Sequence, residues 1–281
     1  MNKPLVTVIC LCYNQERFVQ EAIESVYHQN YPRVQLIIVD DCSLDQSVSA
    51  IKKLIKDRPE VVFIANDKNL GSCKSFNLAL KEAQGDYLID LAADDVLLPD
   101  RIVIGVEALE NAGQEYGVQF TDAEIISESG SHLYLHSKRF PHTTIPQGDI
   151  YKNLINQYFI CSPTMMFRKE VLDFMSGYDE DLAFEDFDFW IRSSRKYKYC
   201  YSSQALIKRR VVSGSMSRAQ FTKGNKQRWS TLRVCKKIKT LNKNREEDSA
   251  LRKRLRYELF LSLRMMDITI ALEFLKLRMT I

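Results

Sequence analysis

The sequence predicts an α/β fold built on a mostly parallel sheet, and two features of its first hundred residues indicate this class. Apolar, strand-like runs alternate there with segments whose apolar residues repeat at helical spacing. Acidic pairs follow two of the strands, at Asp40-Asp41 and Asp94-Asp95. Repeated strand–helix units form parallel sheets with right-handed crossovers, so helices are expected to flank the sheet.

Four strands and four helices are predicted in this region. The strands are the runs of β-branched and other apolar residues at 5–13, 34–40, 61–65 and 87–92. The helices have one apolar face each, at about 18–26, 47–55, 75–85 and 99–113. Asn14 is expected to cap the first helix, and Gly85 and Gly113 are expected to end the third and fourth.

The rest of the chain predicts shorter elements and then a basic tail. Short strands are expected at 117–126 and 132–138, a helix at about 147–157, a strand leading into a helix at 162–172, and a late strand at 206–212. From about 221 to 281 basic residues dominate, and leucines and isoleucines repeat at helical spacing. Such a helix packs on the main domain with its charges solvated, or lies on an anionic membrane surface.

Composition favours an ordinary globular protein. The 281 residues are 45% hydrophobic and 27% charged, and the formal charge of +4 does not argue for nucleic acid. Seven cysteines, an odd number without CxxC spacing, predict a reducing compartment and no disulfide framework. No signal peptide or transmembrane helix is expected from the hydropathy pattern.

A third acidic cluster, Glu185-Asp186, opens a helix-like run. Open α/β sheets bind ligands at the carboxyl ends of their strands, where Asp40-Asp41 and Asp94-Asp95 are placed. Several carboxylates suit a divalent metal, a nucleotide and a proton that must be removed. Each pair also has a purely structural interpretation, as a turn, a helix cap or a favourable charge at a helix N-terminus.

Four segments in order give the sequence a clear resemblance. They are VTVICLCYNQERFVQEAIESVYHQNY, IIVDDCSLDQS, NLGSCKSFNLALKEAQGDYLIDLAADDVLLPDRI and GYDEDLAFEDFDFWIRSSRKY. With this order and spacing, the stretch from about 5 to 217 resembles a family 2 glycosyltransferase with the GT-A (Rossmann-like) fold, of the bacterial polysaccharide-biosynthesis type. The resemblance implies a GT-A domain at 1–220, with a nucleotide-binding half (1–100) and an acceptor-binding half (101–220), and a helical extension at 221–281.

The resemblance implies an inverting transferase of the hexosyl type. Its donor is a nucleotide-diphosphate sugar, most simply UDP-linked, and its acceptor a saccharide or lipid-linked saccharide. Asp186 is implied as the general base, with Glu185 orienting the site or contacting the acceptor. Asp94 and Asp95 are implied at the metal and the donor, where Mg²⁺ or Mn²⁺ would neutralise the diphosphate. A cytoplasmic location is implied, with the basic tail at the inner face of the membrane as one alternative.

Further donor-binding residues follow from the same resemblance. Tyr13 and Asn14 match the edge that binds the base, and Asp41 matches a contact to the base or ribose. Asn69 lies in a turn of the same region, where Gly71 serves backbone geometry. Asn14 and Asp41 keep their alternative roles as caps.

Two departures from the family pattern leave a second function open. The first Asp of the usual Asp-x-Asp element is Ala92 here, and Val212 occupies the place of a late His. In place of this His, the candidate phosphate contacts are Arg209, Arg210 and Arg218. The alternative is a degenerate GT-A protein that binds a sugar nucleotide or a partner without turnover. A nucleotidyltransferase or dehydrogenase is disfavoured, because the first strand leads into YNQERF and no glycine-rich loop.

Overall fold

The computed structural model describes residues 3–140, 142, 144–212 and 225–281. The chain forms two compact units. The first comprises Met1–Gly148, Ile160–Tyr178 and Tyr197–Val211, and the second comprises Asp149–Phe159, Asp179–Lys196 and Val212–Ile281. The domain boundary predicted near 220 lies outside the described residues, and that division stays a prediction.

The first unit contains the parallel sheet that the sequence predicts. Its strands are β1 (Val6–Cys12), β2 (Val34–Asp40), β3 (Val62–Ala65) and β4 (Tyr87–Ala92), side by side in the order β3-β2-β1-β4. All three pairings are parallel. Alternate residues of β1, among them Val6, Val8 and Cys10, are buried in the main hydrophobic core, as the two-residue period of a strand requires.

The sheet continues with strands of mixed direction. These are β5 (Val96–Leu97), β6 (Tyr116–Ile126), β7 (His132–Leu135), β8 (Met166–Arg168) and β9 (Lys198–Arg210). The order runs β4-β8-β6-β9-β5, with β7 paired to β6. β4 and β8 are antiparallel, whereas β6 and β9 are parallel. β9 begins at Lys198, well before the strand predicted from 206, because its polar first half is held by pairing with β6.

Helices of the first unit cover this sheet. In chain order they are α1 (Val19–Tyr27), α2 (Ser47–Leu54), α3 (Ser72–Leu80), α4 (Arg101–Ala112) and α6 (Lys169–Met175). The helix between α4 and α6 in the chain, α5 (Tyr151–Asn156), belongs to the second unit. Residues of α1, α2 and α4 bury their apolar faces in the core with β1, β2 and β4. The four predicted helices of the first hundred residues are confirmed, with α4 ending at Gly113 in a positive-φ conformation.

Two expectations about helix ends are wrong. Asn14 does not cap α1, because Phe18 is at its N-cap position. Asn14 adopts φ 53°, and its side-chain oxygen accepts a hydrogen bond from the N–H of Leu44. α3 ends at Leu80 and is not stopped by Gly85. The N–H of Ala83 bonds to the carbonyl of Leu80 in a tightened last turn. Gly85 serves close packing, since a Cβ there would lie 2.5 Å from the backbone nitrogen of Thr7.

The second unit is helical. It contains α5, α7 (Glu185–Ser193), α8 (Lys226–Leu241), α9 (Arg245–Arg264) and α10 (Ile268–Met279). The side-chain oxygens of Asn225 and Asn244 cap α8 and α9. Trp190 is a core residue, buried in contact with the rings of Tyr158 and Phe184. Among the described helices, none is long and apolar enough to cross a bilayer.

Candidate active site

The carboxyl ends of β1, β2 and β4 lie side by side at one edge of the first unit. Cys12 pairs with Asp40 across β1 and β2, and Leu11 pairs with Ala92 across β1 and β4. The candidate residues Tyr13, Asn14, Asp41, Asp94 and Asp95 follow these strand ends directly. The parallel register therefore collects residues from three distant stretches of sequence at a single edge, where ligands bind in open α/β sheets.

Asp40 and Asn14 join the loops that follow β1 and β2. The buried carboxylate of Asp40 accepts hydrogen bonds from the backbone N–H of Ser43 at 2.9 Å and from its hydroxyl at 2.6 Å. The Ser43 hydroxyl accepts from the N–H of Asn14 at 2.9 Å, and Asn14 Oδ1 accepts from the N–H of Leu44 at 2.7 Å. The structure therefore gives Asn14 a loop-holding role, while its contact to a nucleotide stays a prediction.

Tyr13 presents an aromatic ring at the same edge. Its side chain is 43% exposed although it directly follows the buried end of β1. An exposed ring offers a flat apolar face to a nucleobase at the cost of remaining in water when no ligand is bound. Stacking by Tyr13 is consistent with this placement and stays a prediction.

Asp41 orders the loop that precedes α3. Its buried carboxylate accepts hydrogen bonds from the N–H groups of Leu70 and Gly71, both at 2.8 Å, and from Asn66 Nδ2 at 2.9 Å. Burial by itself raises the pKa of Asp41, but these hydrogen bonds outweigh it and the net pKa is lowered. Gly71 adopts φ 86°, a conformation that favours glycine. Asp41 thus fixes the loop that exposes Asn69.

The Asp94-Asp95 turn is held by Arg210 of β9. The N–H of Arg210 donates to Asp95 Oδ1 at 2.8 Å, and its Nε donates to the Asp94 carbonyl at 3.0 Å. Its guanidinium also pairs with Glu21 at 2.5 Å and lies over the ring of Phe18. Arg210 is buried, so it shapes this turn with partners from the protein, which corrects its interpretation as a candidate phosphate contact.

Burial opposes the ionisation of the two carboxylates of this turn. Burial and, to a smaller extent, the neighbouring charge of Asp94 together raise the pKa of Asp95 to about 8. Burial also raises the pKa of Asp94, although Arg209 and Arg210 oppose the shift. Asp95 is fixed by the N–H of Arg210, whereas Asp94 is half-buried. Adjacent carboxylates that resist ionisation together are the kind of donor set that a divalent cation stabilises.

Glu185 and Asp186 belong to the second unit, on the first turn of α7. Both are half-buried, and Phe184 at the N-cap position gives no side-chain cap. Carboxylates in the first helical turn interact favourably with the helix dipole, which supports their charged forms. The sequence therefore predicted correctly that the pair opens a helix, and its catalytic role stays a prediction.

Comparison with known proteins assigns the chain to a family. The sequence pattern described as "Glycosyl transferase family 2" matches residues 7–175. An uncharacterized glycosyltransferase of Methanocaldococcus jannaschii is 32% identical over 215 residues, which cover 75% of this chain and 72% of that protein. The chain belongs to glycosyl transferase family 2. The putative teichuronic acid biosynthesis glycosyltransferase TuaG of Bacillus subtilis is 26% identical over 239 residues, or 84% of this glycosyltransferase and 90% of TuaG.

Solved structures show that this glycosyltransferase has the GT-A fold. TarS of S. aureus, in a structure with UDP-GlcNAc, superposes with a TM-score of 0.69 over 89% of this chain and 71% of that one, at 18% identity. The mannosyltransferase PcManGT of Pyrobaculum calidifontis, in complex with GDP-Man and Mn²⁺, superposes with a TM-score of 0.67 over 99% of this chain and 74% of that one, at 16% identity.

The first carboxylate of the Asp-x-Asp element is missing from this glycosyltransferase. Ala92 ends β4 without a carboxylate, and Asp94 and Asp95 form the turn after it. Within the described ranges, no three His, Cys, Asp or Glu side chains gather as a metal site. Two carboxylates nevertheless fit Mg²⁺ or Mn²⁺, since such ions take one or two carboxylates together with the phosphate oxygens of a substrate. Arg218, the remaining predicted phosphate contact beside Arg209, lies outside the described residues.

Sequence analysis missed the residues that support this edge from a distance. The sequence indicates Arg210 only as a candidate phosphate contact, whereas in the structure it holds the Asp94-Asp95 turn. Asp90, on β4, accepts a hydrogen bond from the hydroxyl of Tyr178 at 3.1 Å. The one sequence signal for Asp90 was a carboxylate inside an otherwise apolar strand, which costs free energy unless it is paired.

Proposed function

We propose that this family 2 glycosyltransferase transfers a sugar, with inversion, from a nucleotide-diphosphate donor to a saccharide or lipid-linked saccharide acceptor in the synthesis of a polysaccharide. The observation that carries the proposal is the edge where β1, β2 and β4 end, because it places Tyr13, the Asp41-held loop and the Asp94-Asp95 pair together. A UDP-linked donor is favoured by the likeness to TarS, which is solved with UDP and with UDP-GlcNAc.

The proposed chemistry divides among these groups. Tyr13, Asn14, Asp41 and Asn69 bind and orient the nucleoside. Asp94, with Asp95, would hold Mg²⁺ or Mn²⁺, which neutralises the charge of the departing diphosphate when it is bound. Asp186 accepts the proton of the acceptor hydroxyl as the hydroxyl attacks the anomeric carbon, and Glu185 orients the acceptor. Attack opposite the leaving diphosphate inverts the anomeric centre.

Nucleotide binding is the most direct test of this proposal. We expect UDP with Mn²⁺ to raise the melting temperature more than GDP, dTDP or CMP with Mn²⁺, because at equal concentration the ligand with the lowest Kd stabilises the folded state most. Transfer from a panel of UDP-sugars to a saccharide acceptor should then give an inverted product. A protein that responds to none of the four nucleotides, with or without Mn²⁺, would contradict the proposal.

The second candidate function is binding without turnover, favoured by Ala92 and Val212 at two family positions. A degenerate protein would show the same nucleotide-dependent rise in melting temperature. It would release neither free nucleotide nor transferred sugar in the panel assay, and this outcome separates the two functions.

The basic C-terminal helices are proposed to contact an anionic membrane at its cytoplasmic face, where lipid-linked acceptors reside. The exposed positions of α9 from 252 to 264 carry four cations and three apolar side chains and no carboxylate. They are Arg252, Lys253, Arg256, Tyr257, Phe260, Leu263 and Arg264. The apolar part continues through Met266, Ile268 and Leu272, each at least half exposed. We call these exposed residues from 252 to 272 the basic apolar surface.

Charge favours a bilayer over a second copy of the chain as the partner of this surface. A two-fold contact would set Arg256 and Arg264 against the same cations of the other copy. Anionic headgroups instead attract each cation, by about 1 kcal/mol, while the apolar side chains enter the interface. The alternative is a helix that only packs on the rest of the protein, with its charges solvated. In that case Phe260 and Met266 would stay in water, at 63% and 73% exposure.

Vesicle binding tests the basic apolar surface. We expect the protein to co-sediment with vesicles that contain phosphatidylglycerol and not with pure phosphatidylcholine. The double substitution Phe260→Ser/Leu272→Ser should weaken binding at least tenfold, since each side chain contributes about 1.5–3 kcal/mol when buried. Leu133→Ser/Phe174→Ser removes two similarly exposed side chains of the first unit and should leave binding unchanged. Equal binding by both variants, or a concentration-dependent dimer without vesicle binding, would contradict the membrane contact.

A further inference from the structure

The segment that leads into α7 is held by one face of α8. Three hydrogen-bonded contacts join them. Ser230 Oγ accepts from the N–H of Ala183 at 2.8 Å, Arg233 donates to the carbonyl of Asp181 at 3.0 Å, and Lys237 Nζ lies 2.6 Å from Asp179 Oδ2. Spacings of three and four residues place Ser230, Arg233 and Lys237 on the same side of a helix. The segment 179–184 is thus fastened at three points along its length.

Lys237 makes a second contact that reaches α7 itself. Its ammonium lies 2.6 Å from Asp188 Oδ1, so one side chain bridges Asp179, before the helix, and Asp188, in the first turn. Asp188 is only 1% exposed, and its other oxygen accepts from Arg192 Nε at 2.5 Å. A buried carboxylate is costly without such partners, so Lys237 has a fixed position. We refer to these contacts of Lys237 as the Lys237 bridge.

Glu185 and Asp186 lie between the two ends of the Lys237 bridge. Burial by itself raises the pKa of Asp179, but Lys237 and the N–H of Asp181 outweigh it and lower the pKa, so this end of the bridge is charged at neutral pH. Both ends of the short stretch 179–188 are therefore tied to the same atom of α8. The freedom of the intervening backbone to shift or rotate is restricted accordingly.

We propose that Lys237 is a positioning residue that sets the place of Asp186 for proton abstraction, supported by Ser230 and Arg233. The inference rests on the proposed function, in which Asp186 is the general base. A general base acts only within hydrogen-bonding reach of the proton, and a displacement of about 1 Å costs up to 10²-fold in rate. Lys237 of α8 thereby acts on the general base from within the basic extension.

The experiment compares Lys237→Met, which keeps most of the length of the side chain and removes its charge, with the parent protein. We expect kcat to fall about 10- to 100-fold while KM for the donor changes less than twofold, because the donor-binding candidates are on the first unit. Lys237→Arg should recover most of the rate, since a guanidinium also bonds two carboxylates. Lys236→Met, an exposed neighbour on α8, should behave as the parent.

Hydrogen exchange supplies a readout that does not depend on activity. Amides of 179–188 should exchange at least tenfold faster in Lys237→Met, and in the milder Ser230→Ala the N–H of Ala183 should exchange faster. Unchanged exchange in both variants overturns the bridge as a constraint on this segment. Faster exchange with an unchanged kcat overturns the positioning role.

The Asp186→Asn variant separates a failure of the general-base assignment from a failure of the positioning role of Lys237. Full turnover by Asp186→Asn overturns the base assignment and the positioning role with it. Loss of turnover by Asp186→Asn together with a full rate in Lys237→Met overturns the positioning role alone.

Discussion

Replacing Asp186 by Asn is expected to lower kcat by about 10²–10⁴-fold, the usual contribution of a general base. The amide keeps the shape of the side chain and loses the ability to accept the hydroxyl proton. Asp186 is half-buried in the first turn of α7, where the helix dipole supports a charged carboxylate. The measurement is steady-state transfer from the donor that gives the largest thermal shift.

Binding of the donor should survive this change. The residues predicted to bind the nucleotide belong to the first unit, and Asp186 belongs to the second. We therefore expect the nucleotide-dependent rise in melting temperature to be the same in Asp186→Asn and in the parent. Asp173→Asn, which alters an exposed carboxylate on α6, serves as the matched control and should retain full activity. Turnover of Asp186→Asn within twofold of the control would show that another group takes the proton.

Local patterns in the sequence predicted the parallel half of the fold. β1, β2 and β4 are short buried apolar runs, and α1 and α2 have one apolar face each, so the local pattern of apolar residues indicates these elements. The acidic pairs at strand ends followed from the same patterns, since the residue after a parallel strand lies at the ligand-binding edge. The sequence therefore predicted where Asp41, Asp94 and Asp95 lie without any knowledge of contacts.

Contacts between distant residues could not be predicted in this way. Arg210 is 115 positions from Asp95, and nothing local to either residue indicates their hydrogen bond. The first half of β9 is polar and became a strand only through its pairing with β6. Lys237 was one of many basic residues in the tail until the fold set it against Asp179 and Asp188. Side-chain roles of this kind depend on packing, which the period of a sequence does not encode.

Replacing Asp94 by Asn is expected to have opposite effects on activity and on stability. Turnover should fall by about 10²-fold or more, because a cation bound at the diphosphate supplies several kcal/mol of charge stabilisation and each 1.36 kcal/mol changes the rate tenfold. The rise in melting temperature that Mn²⁺ and UDP produce together should lose its dependence on Mn²⁺. Asp173→Asn again provides the control, with an unchanged response to Mn²⁺.

The metal-free protein, in contrast, should become more stable when Asp94 is neutral. Burial and, to a smaller extent, the charge of Asp94 together raise the pKa of Asp95 to about 8. A carboxyl group whose folded-state pKa is raised destabilises the fold as the pH rises from about 4, its ordinary range, to about 8. Removing the charge of Asp94 relieves part of this cost. We therefore expect Asp94→Asn to raise the melting temperature at pH 8 by about 2–4 °C, corresponding to about 1 kcal/mol.

The same substitution should have a smaller effect on stability at pH 4, because Asp95, with its pKa raised to about 8, is protonated there in the folded state and carries no charge for Asp94 to repel. Asp95→Asn provides the contrast within the pair. The Asp95 carboxylate accepts the hydrogen bond of the Arg210 N–H, so its replacement should perturb the turn as well as relieve the charge. A melting temperature of metal-free Asp94→Asn that is unchanged at pH 8 would contradict the repulsion between the two carboxylates. An Mn²⁺ response that survives the substitution would contradict the assignment of Asp94 as the cation ligand.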